Sequence, residues 1–464
     1  MKMEDELHRA HVVVLPYPSQ GHINPLLQFA KRLASKGLKA TLATTRYTVK
    51  SIDAPNVGVE PISDGFDKEG FAQARNTAAF LKSFEEHGSR TLSQLIEKYS
   101  STNTPVACVV YDSFFPWALD VAKQHDIFGA AFFTNSVAIS NIFCRLHSGL
   151  LKLPLELHDG ALLVPGLPPL NSRDIPSFIR LPGSHPAYLA MKLRQFTNTD
   201  KADWIFGNSF EALEYEEAKS ISDVWPAKLI GPMVPSTYLD CRQDKDNAYG
   251  ASLWKPVSFE CINWLETKLP KSIVYVSFGS MVSLTPEQME EIAWGLKESG
   301  FPFLWVVRPS ELDKLPQGLG ESVQEKAMIA TWCNQLEVLA HRATGCFVTH
   351  CGWNSTLEGL SIGVPMIGIP RWADQWTNAK YVEEIWGVGV RAREDEEGVV
   401  RREEVSKCVN EVMRGERSDE MKRNVRKWRE FAKEAIGEGG SSDRCISELV
   451  ERLTSHVSGG RQVG

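Results

Sequence analysis

His11-Val12-Val13-Val14-Leu15 is a continuous apolar run of strand length, followed by a Pro/Ser/Gly loop. Asn24-Pro25 then reads as N-cap and first helical position, where proline's missing N–H costs nothing. Leu26, Leu27, Ala30, Leu33 and Ala34 recur at helical spacing, and Gly37 closes that helix. Leu38 to Ala43 reads as the next strand. Strand, helix and strand with short links make a βαβ unit.

The same pattern returns in the second half. Ile273-Val274-Tyr275-Val276-Ser277-Phe278 reads as a strand ending in Gly279-Ser280. Thr285-Pro286-Glu287-Gln288 has the form of a capping box ahead of a helix. Further expected strands are Phe301 to Val307, Ala327 to Thr331, Gly345 to Thr349 and Val364 to Ile369. They alternate with helices at Leu336 to Ala340, Asn354 to Ile362 and Asn378 to Trp386. Such alternation predicts α/β architecture with parallel sheets, here as two doubly wound domains.

The expected divisions are an N-terminal domain over 1–235, a linker over 236–256 and a C-terminal domain over 257–440. A tail over 441–464 is expected to hold one helix, near Asp443 to Leu453, packed back on the first domain. The linker expectation rests on the polar, aperiodic stretch Cys241-Arg242-Gln243-Asp244-Lys245-Asp246-Asn247. Leu150 to Pro186, rich in proline and leucine, predicts long loops with short helices beside a site.

Composition narrows the function. With 464 residues, 43% apolar and 23% charged, the chain can bury two full cores. A formal charge of −7 lacks the basic excess of a dedicated nucleic-acid binder. Nine cysteines without regular spacing predict free thiols in a reducing cytosol. No apolar stretch approaches the ~20 residues of a membrane span. A cytoplasmic monomer is expected.

Among motifs, G-x-G-x-x-G and the phosphate loop G-x-x-x-x-G-K-[ST] are absent, which disfavours a simple NAD enzyme or P-loop ATPase. The densest chemistry is His350-Cys351-Gly352-Trp353-Asn354-Ser355, between an apolar strand and a helix. A glycine turn at a helix N-terminus offers backbone N–H groups and a positive dipole end to an anion. Equally, Asn354 or Ser355 could merely cap the helix. Cys333, His341, Cys346, His350 and Cys351 lack paired metal-ligand spacing, so no metal is expected. Gly359-Leu360-Ser361-Ile362-Gly363 matches the serine-hydrolase elbow but falls late in a helix, the wrong order for it. His22, expected in the loop after the first strand, is placed to act as a general base. Asp112, closing Val109-Val110-Tyr111-Asp112, is the carboxylate that could orient it.

These residues together resemble the plant secondary-product glycosyltransferase box of family 1 UDP-glycosyltransferases. The matching positions are Trp332, Gln335, the run from His350 to Ser355, Glu358, Gly363-Val364-Pro365 and Asp374-Gln375. Gln20 to Pro25 and Asp112 match as well, and Tyr111 to Trp117 resembles the branch acting on phenols, carboxylic acids and steroids. Arg371-Trp372-Ala373 departs from the commoner box. The resemblance implies a GT-B fold, two Rossmann-like domains facing across a cleft, with the acceptor in the first domain and UDP-glucose in the second. It implies that Trp332 stacks on uracil and that Gln335 and Glu358 take the ribose hydroxyls. His350, Asn354, Ser355 and Ser280 would hold the pyrophosphate. Trp353, Asp374 and Gln375 would hold the sugar, with Thr134 reaching the sugar or β-phosphate. His22 would deprotonate the acceptor, oriented by Asp112, with inversion and without a metal.

Phe114, Phe115, Ser136 and Met191 are the expected acceptor contacts. The mainly apolar wall they belong to predicts a flat lipophilic phenol or steroid, with carboxylic acids next. Two rival readings remain at this point: a catalytically dead binding protein on the same scaffold, and a serine hydrolase.

Overall fold

The computed structural model describes residues 10–241 and 257–460. They fall into two units. The first takes in the described residues of Met1–Pro169, Phe178–Leu253 and Glu434–Gly464. The second takes in those of Leu170–Ser177 and Trp254–Lys433. Most of the expected linker, residues 242–256, lies outside the described residues, as do 461–464 of the tail.

The first unit is built on seven strands: β1 (His11–Leu15), β2 (Lys39–Thr45), β3 (Gly58–Ile62), β4 (Val106–Asp112), β5 (Phe128–Phe133), β6 (Trp204–Gly207) and β7 (Lys228–Leu229). Their order is β3-β2-β1-β4-β5-β6-β7, parallel throughout the paired registers. Chain order reverses between β1 and β4, so their C-terminal ends form the switch point where open α/β sheets bind ligands. Leu15 pairs with Tyr111, which sets Asp112 beside the chain leaving β1. The β1, β2 and β4 strands are buried along their length, apart from the partly buried Lys39. That explains the near-continuous apolar runs of β1 and β4.

The second unit repeats the plan with six strands: β8 (Ile273–Ser277), β9 (Phe303–Val306), β10 (Ala327–Ala330), β11 (Thr344–Thr349), β12 (Met366–Gly368) and β13 (Gly389–Arg391). Their order is β10-β9-β8-β11-β12-β13, again parallel. Here the switch point lies between β8 and β11. Gly279-Ser280 follows the first and His350 the second.

The first helix corrects the expected start at Asn24. It spans Gln20–Ser35, with Ser19 as N-cap and Pro25 inside it. The Ser19 carbonyl accepts from the N–H groups of His22 (3.0 Å) and Ile23 (2.9 Å), so the first turn forms there. Pro25 then forgoes only the bond its N–H would have given to residue 21. His22 consequently sits on the helix's first turn rather than in a loop. The capping box is half present. Thr285 accepts from the Gln288 N–H at 3.2 Å. The Gln288 amide, however, pairs with the Val400 backbone, donating at 2.9 Å and accepting at 3.0 Å. Gln375–Lys380 is helical and passes into a wider turn over Tyr381–Ile385, so this helix begins three residues before the expected Asn378.

The last helix, Ser441–Gly460, extends well past the expected Asp443 to Leu453. Its Ile446, Leu449, Val450 and Leu453 are buried in one cluster with Val12, Val14, Leu27 and Phe132 of the first unit. All nine cysteines are free thiols. Among the described residues no helix is long and apolar enough to cross a membrane.

Candidate active site

In the first unit, His22 and Asp112 meet at the switch point. His22 Nδ1 lies 2.6 Å from Asp112 Oδ2, and the carboxylate is fully buried. The same carboxylate accepts the N–H of Phe114 on Oδ1 (3.0 Å) and the N–H of Tyr17 on Oδ2 (3.3 Å). Backbone donors from both loops therefore fix its two oxygens. An ionised carboxylate only accepts, so His22 Nδ1 carries the proton and Nε2 keeps the lone pair. Thr134 Oγ1 stands 3.2 Å from His22 Nδ1, which places Thr134 at the base.

The Phe114 ring lies 4.7 Å from the His22 ring. Phe115 is almost fully buried, 4.5 Å from Phe84 and 5.3 Å from Trp117. Phe114 and Phe115 both pack on Tyr17, each with its ring centroid 5.7 Å from it. Ser136 is the N-cap of the helix Val137–His147, its side chain accepting from the Ile139 N–H. Met191 is buried on the helix Pro186–Arg194.

Sequence reasoning missed Lys192. Only 7% exposed, it donates from Nζ to Asn135 Oδ1 at 2.6 Å and lies 4.8 Å over the Phe114 ring. It places a positive charge one ring away from the base. Its signal was its spacing from Tyr188 and Gln195, which puts a lysine on a buried helical face.

In the second unit, His350 follows β11 and is flanked by two glycines. A Cβ at Gly279 would stand 2.8 Å from His350 Cε1, and one at Gly352 2.5 Å from Nε2. Only glycine admits the imidazole at this depth. Gly279 also has φ +71°. Burial pushes His350 from its usual 6.5 down to about 4. At neutral pH it is a neutral hydrogen-bonding group. The unfolded chain binds this proton more readily, so His350 makes folding stability fall as pH drops from about 6.5 toward 4. Thermal midpoints of wild type and His350→Gln should therefore converge across that window as the wild type loses stability. A constant difference would contradict the neutral imidazole.

The helix Trp353–Ile362 is capped by Gly352 without a side-chain bond, so neither Asn354 nor Ser355 serves as its cap. Ser355 accepts from Gln335 Nε2 at 3.2 Å, and the same nitrogen bonds the Glu358 carboxylate. The Tyr275 hydroxyl donates to Gln335 Oε1 at 3.1 Å. Gln335, Ser355 and Glu358 are thus one connected polar group. The Trp332 carbonyl accepts from the Val257 N–H at 2.9 Å. Arg308, also missed, bonds the carbonyls of Ser280 and Val282 and so fixes the loop after β8.

Gln375 Oε1 accepts from the N–H groups of Arg371 (2.8 Å) and Trp372 (2.9 Å). Its carbonyl is committed to its own turn, which orients the amide NH2 away from it. Asp374 Oδ2 accepts from Asn378 Nδ2 at 3.0 Å. Ser361 is fully buried inside the helix that ends at Gly363, not on a strand-to-helix elbow. Among the described residues no group of three or more His, Cys, Asp or Glu could hold a metal.

The comparisons fit two parallel-sheet units. Residues 239–433 match the model for UDP-glucoronosyl and UDP-glucosyl transferase, and residues 8–61 that for the glycosyltransferase N-terminal domain. Os79 from O. sativa, solved in complex with UDP, superposes with a TM-score of 0.90 at 41% identity, covering 95% of this chain and 100% of that one. The fold is GT-B. UDP-glycosyltransferase 74B1 of Arabidopsis thaliana is 48% identical, over 96% of this chain and 98% of its own. Flavonol 7-O-beta-glucosyltransferase UGT74F1 of the same plant is 46% identical, over 97% and 99%. The chain belongs to the plant family 1 UDP-glycosyltransferases.

Proposed function

We propose that this enzyme transfers glucose from UDP-glucose to a hydroxyl of a small lipophilic plant metabolite, with inversion at the anomeric carbon. The observation that carries the mechanism is the 2.6 Å contact between His22 Nδ1 and Asp112 Oδ2. It supports a base whose Nε2 takes the acceptor proton while the imidazolium is stabilised by the buried carboxylate. The acceptor oxygen forms the new C1–O bond as the C1–O bond to UDP breaks. The electron pair leaves on the β-phosphate and the acceptor proton stays on His22.

Donor recognition in this reading falls to Trp332 at uracil and to Gln335 and Glu358 at ribose. The N-terminus of Trp353–Ile362, with Asn354, Ser355, Ser280 and neutral His350, receives the diphosphate. Trp353, Asp374, Gln375 and Thr134 meet the sugar. Electrostatic stabilisation of the leaving group by fixed donors supports transfer without an added metal. Phe114 and Met191 supply apolar wall, and a flavonol named for a relative fits a flat hydroxyl acceptor.

Lys192 favours a second reading of the acceptor, a carboxylic acid esterified by glucose. A carboxylate arrives ionised and needs His22 less. Both readings are tested by incubating the enzyme with UDP-glucose and paired aromatic hydroxyl and carboxyl acceptors, scored by mass gain. Glucosides of the hydroxyl members are expected, formed faster from UDP-glucose than from UDP-galactose and undiminished in EDTA. Preference for UDP-galactose, or a rate lost in EDTA and restored by Mg²⁺, would contradict this. Products from acids alone, abolished in Lys192→Met, would select the ester reading.

A further inference from the structure

Residues 170–177 belong to the second unit, although the chain on both sides of them belongs to the first. The bonds of Asp174 and Ser177 run to 373–391. The Ser177 N–H donates to the Ala373 carbonyl at 2.9 Å, and the Ala373 N–H donates to Ser177 Oγ at 3.0 Å. The Thr377 hydroxyl donates to the Asp174 carbonyl at 2.7 Å. The Asp174 carboxylate is fully buried, 2.6 Å from Arg391 Nη1 and 3.3 Å from Lys380 Nζ. It also accepts the Asn171 N–H at 2.9 Å, which ties the segment into its own turn.

Ala373 is held with φ +57°, in the left-handed region. A residue with a Cβ persists there only where its surroundings impose it. Ser177 supplies that constraint through two reciprocal bonds. The next two residues are Asp374 and Gln375, and the Gln375 carbonyl is already closed on Arg371 and Trp372. The direction in which the Asp374 carboxylate and the Gln375 NH2 emerge therefore follows from the conformation of Ala373.

We propose that Leu170–Ser177 is a positioning clasp for the sugar-recognition turn, with Ser177 as its principal positioning residue and Asp174 as its anchor. It presents one acceptor, Asp374, and one donor, the Gln375 amide, to neighbouring hydroxyls of the donor hexose. This rests on the reading of those two residues as sugar contacts. The bonds to Ala373 and Thr377 named above run to the turn that carries Asp374 and Gln375, so the clasp acts on recognition of the hexose and not on recognition of UDP.

The test compares binding of UDP and of UDP-glucose by calorimetry, with KM and kcat, in Ser177→Ala and in the double variant Ser177→Ala/Thr377→Val. Asp174 is left in place, because removing it would take a fully buried carboxylate from Lys380 and Arg391 and endanger folding. Affinity for UDP-glucose should fall about 5- to 20-fold, the scale of one or two hydrogen bonds. UDP should stay within about twofold, and Ser177→Thr, which keeps the hydroxyl, should recover most of the loss. Unchanged UDP-glucose binding in both variants, or equal weakening of UDP, would overturn the clasp. Asp374→Ala and Gln375→Ala, run in parallel, distinguish the two failures. If they too leave UDP-glucose binding unchanged, the sugar assignment falls. If they weaken it while the Ser177 variants do not, the clasp alone falls.

Discussion

His22→Ala should lower the rate of glucosyl transfer to a hydroxyl acceptor by roughly 10²–10⁴, the usual worth of a positioned general base. The loss should fall on kcat, because in the proposed reading the uracil, ribose and diphosphate contacts all belong to the other unit. UDP-glucose binding should stay within about twofold. The fold should survive, since the imidazole is partly exposed and its removal leaves the Asp112 carboxylate with the backbone N–H groups of Tyr17 and Phe114. Transfer to a carboxylic acid should suffer much less, because no proton has to be removed. Steady-state kinetics on one hydroxyl and one carboxyl acceptor would decide it. Near wild-type turnover of the hydroxyl would remove His22 from the mechanism.

Glu358→Ala should raise KM for UDP-glucose by about 10- to 100-fold, the scale of hydrogen bonds to a charged group. Glu358 is only 3% exposed, and its carboxylate is already bonded by Gln335. In the proposed reading truncation removes a ribose acceptor, and it also releases the Gln335 amide. UDP itself should weaken in parallel, unlike in the Ser177 variants. Inhibition by UDP provides the measurement. A UDP affinity unchanged in a folded Glu358→Ala protein would place the ribose elsewhere.

How far these sites could be read from the chain alone depends on the range of the contacts. The βαβ alternation was legible because buried parallel strands are apolar through most of their length, as 12–15 and 345–348 are. His22 and Asp112 were legible as candidates because each follows an apolar run at the same sheet edge. The helix start at Gln20 was obscured by Asn24-Pro25, whose local preference is overridden by the turn that Ser19 nucleates. Phe115 could not be told from Phe114, since only the packing of Phe84 and Trp117 decides which ring turns inward. Lys192, Arg308 and Asp174 act through partners 28 to 217 residues away, and periodicity carries no such information.

The last helix carries a consequence for synthesis of the protein. Ile446, Leu449, Val450 and Leu453 complete a hydrophobic core that β1 begins at Val12 and Val14. At ~5–20 residues per second, the ribosome delivers that closing helix tens of seconds after the strands it covers. Until then the first sheet keeps an apolar face in water, a target for chaperones and for aggregation. Yield in a heterologous host is therefore expected to depend on the final helix being intact more than on most of the surface loops.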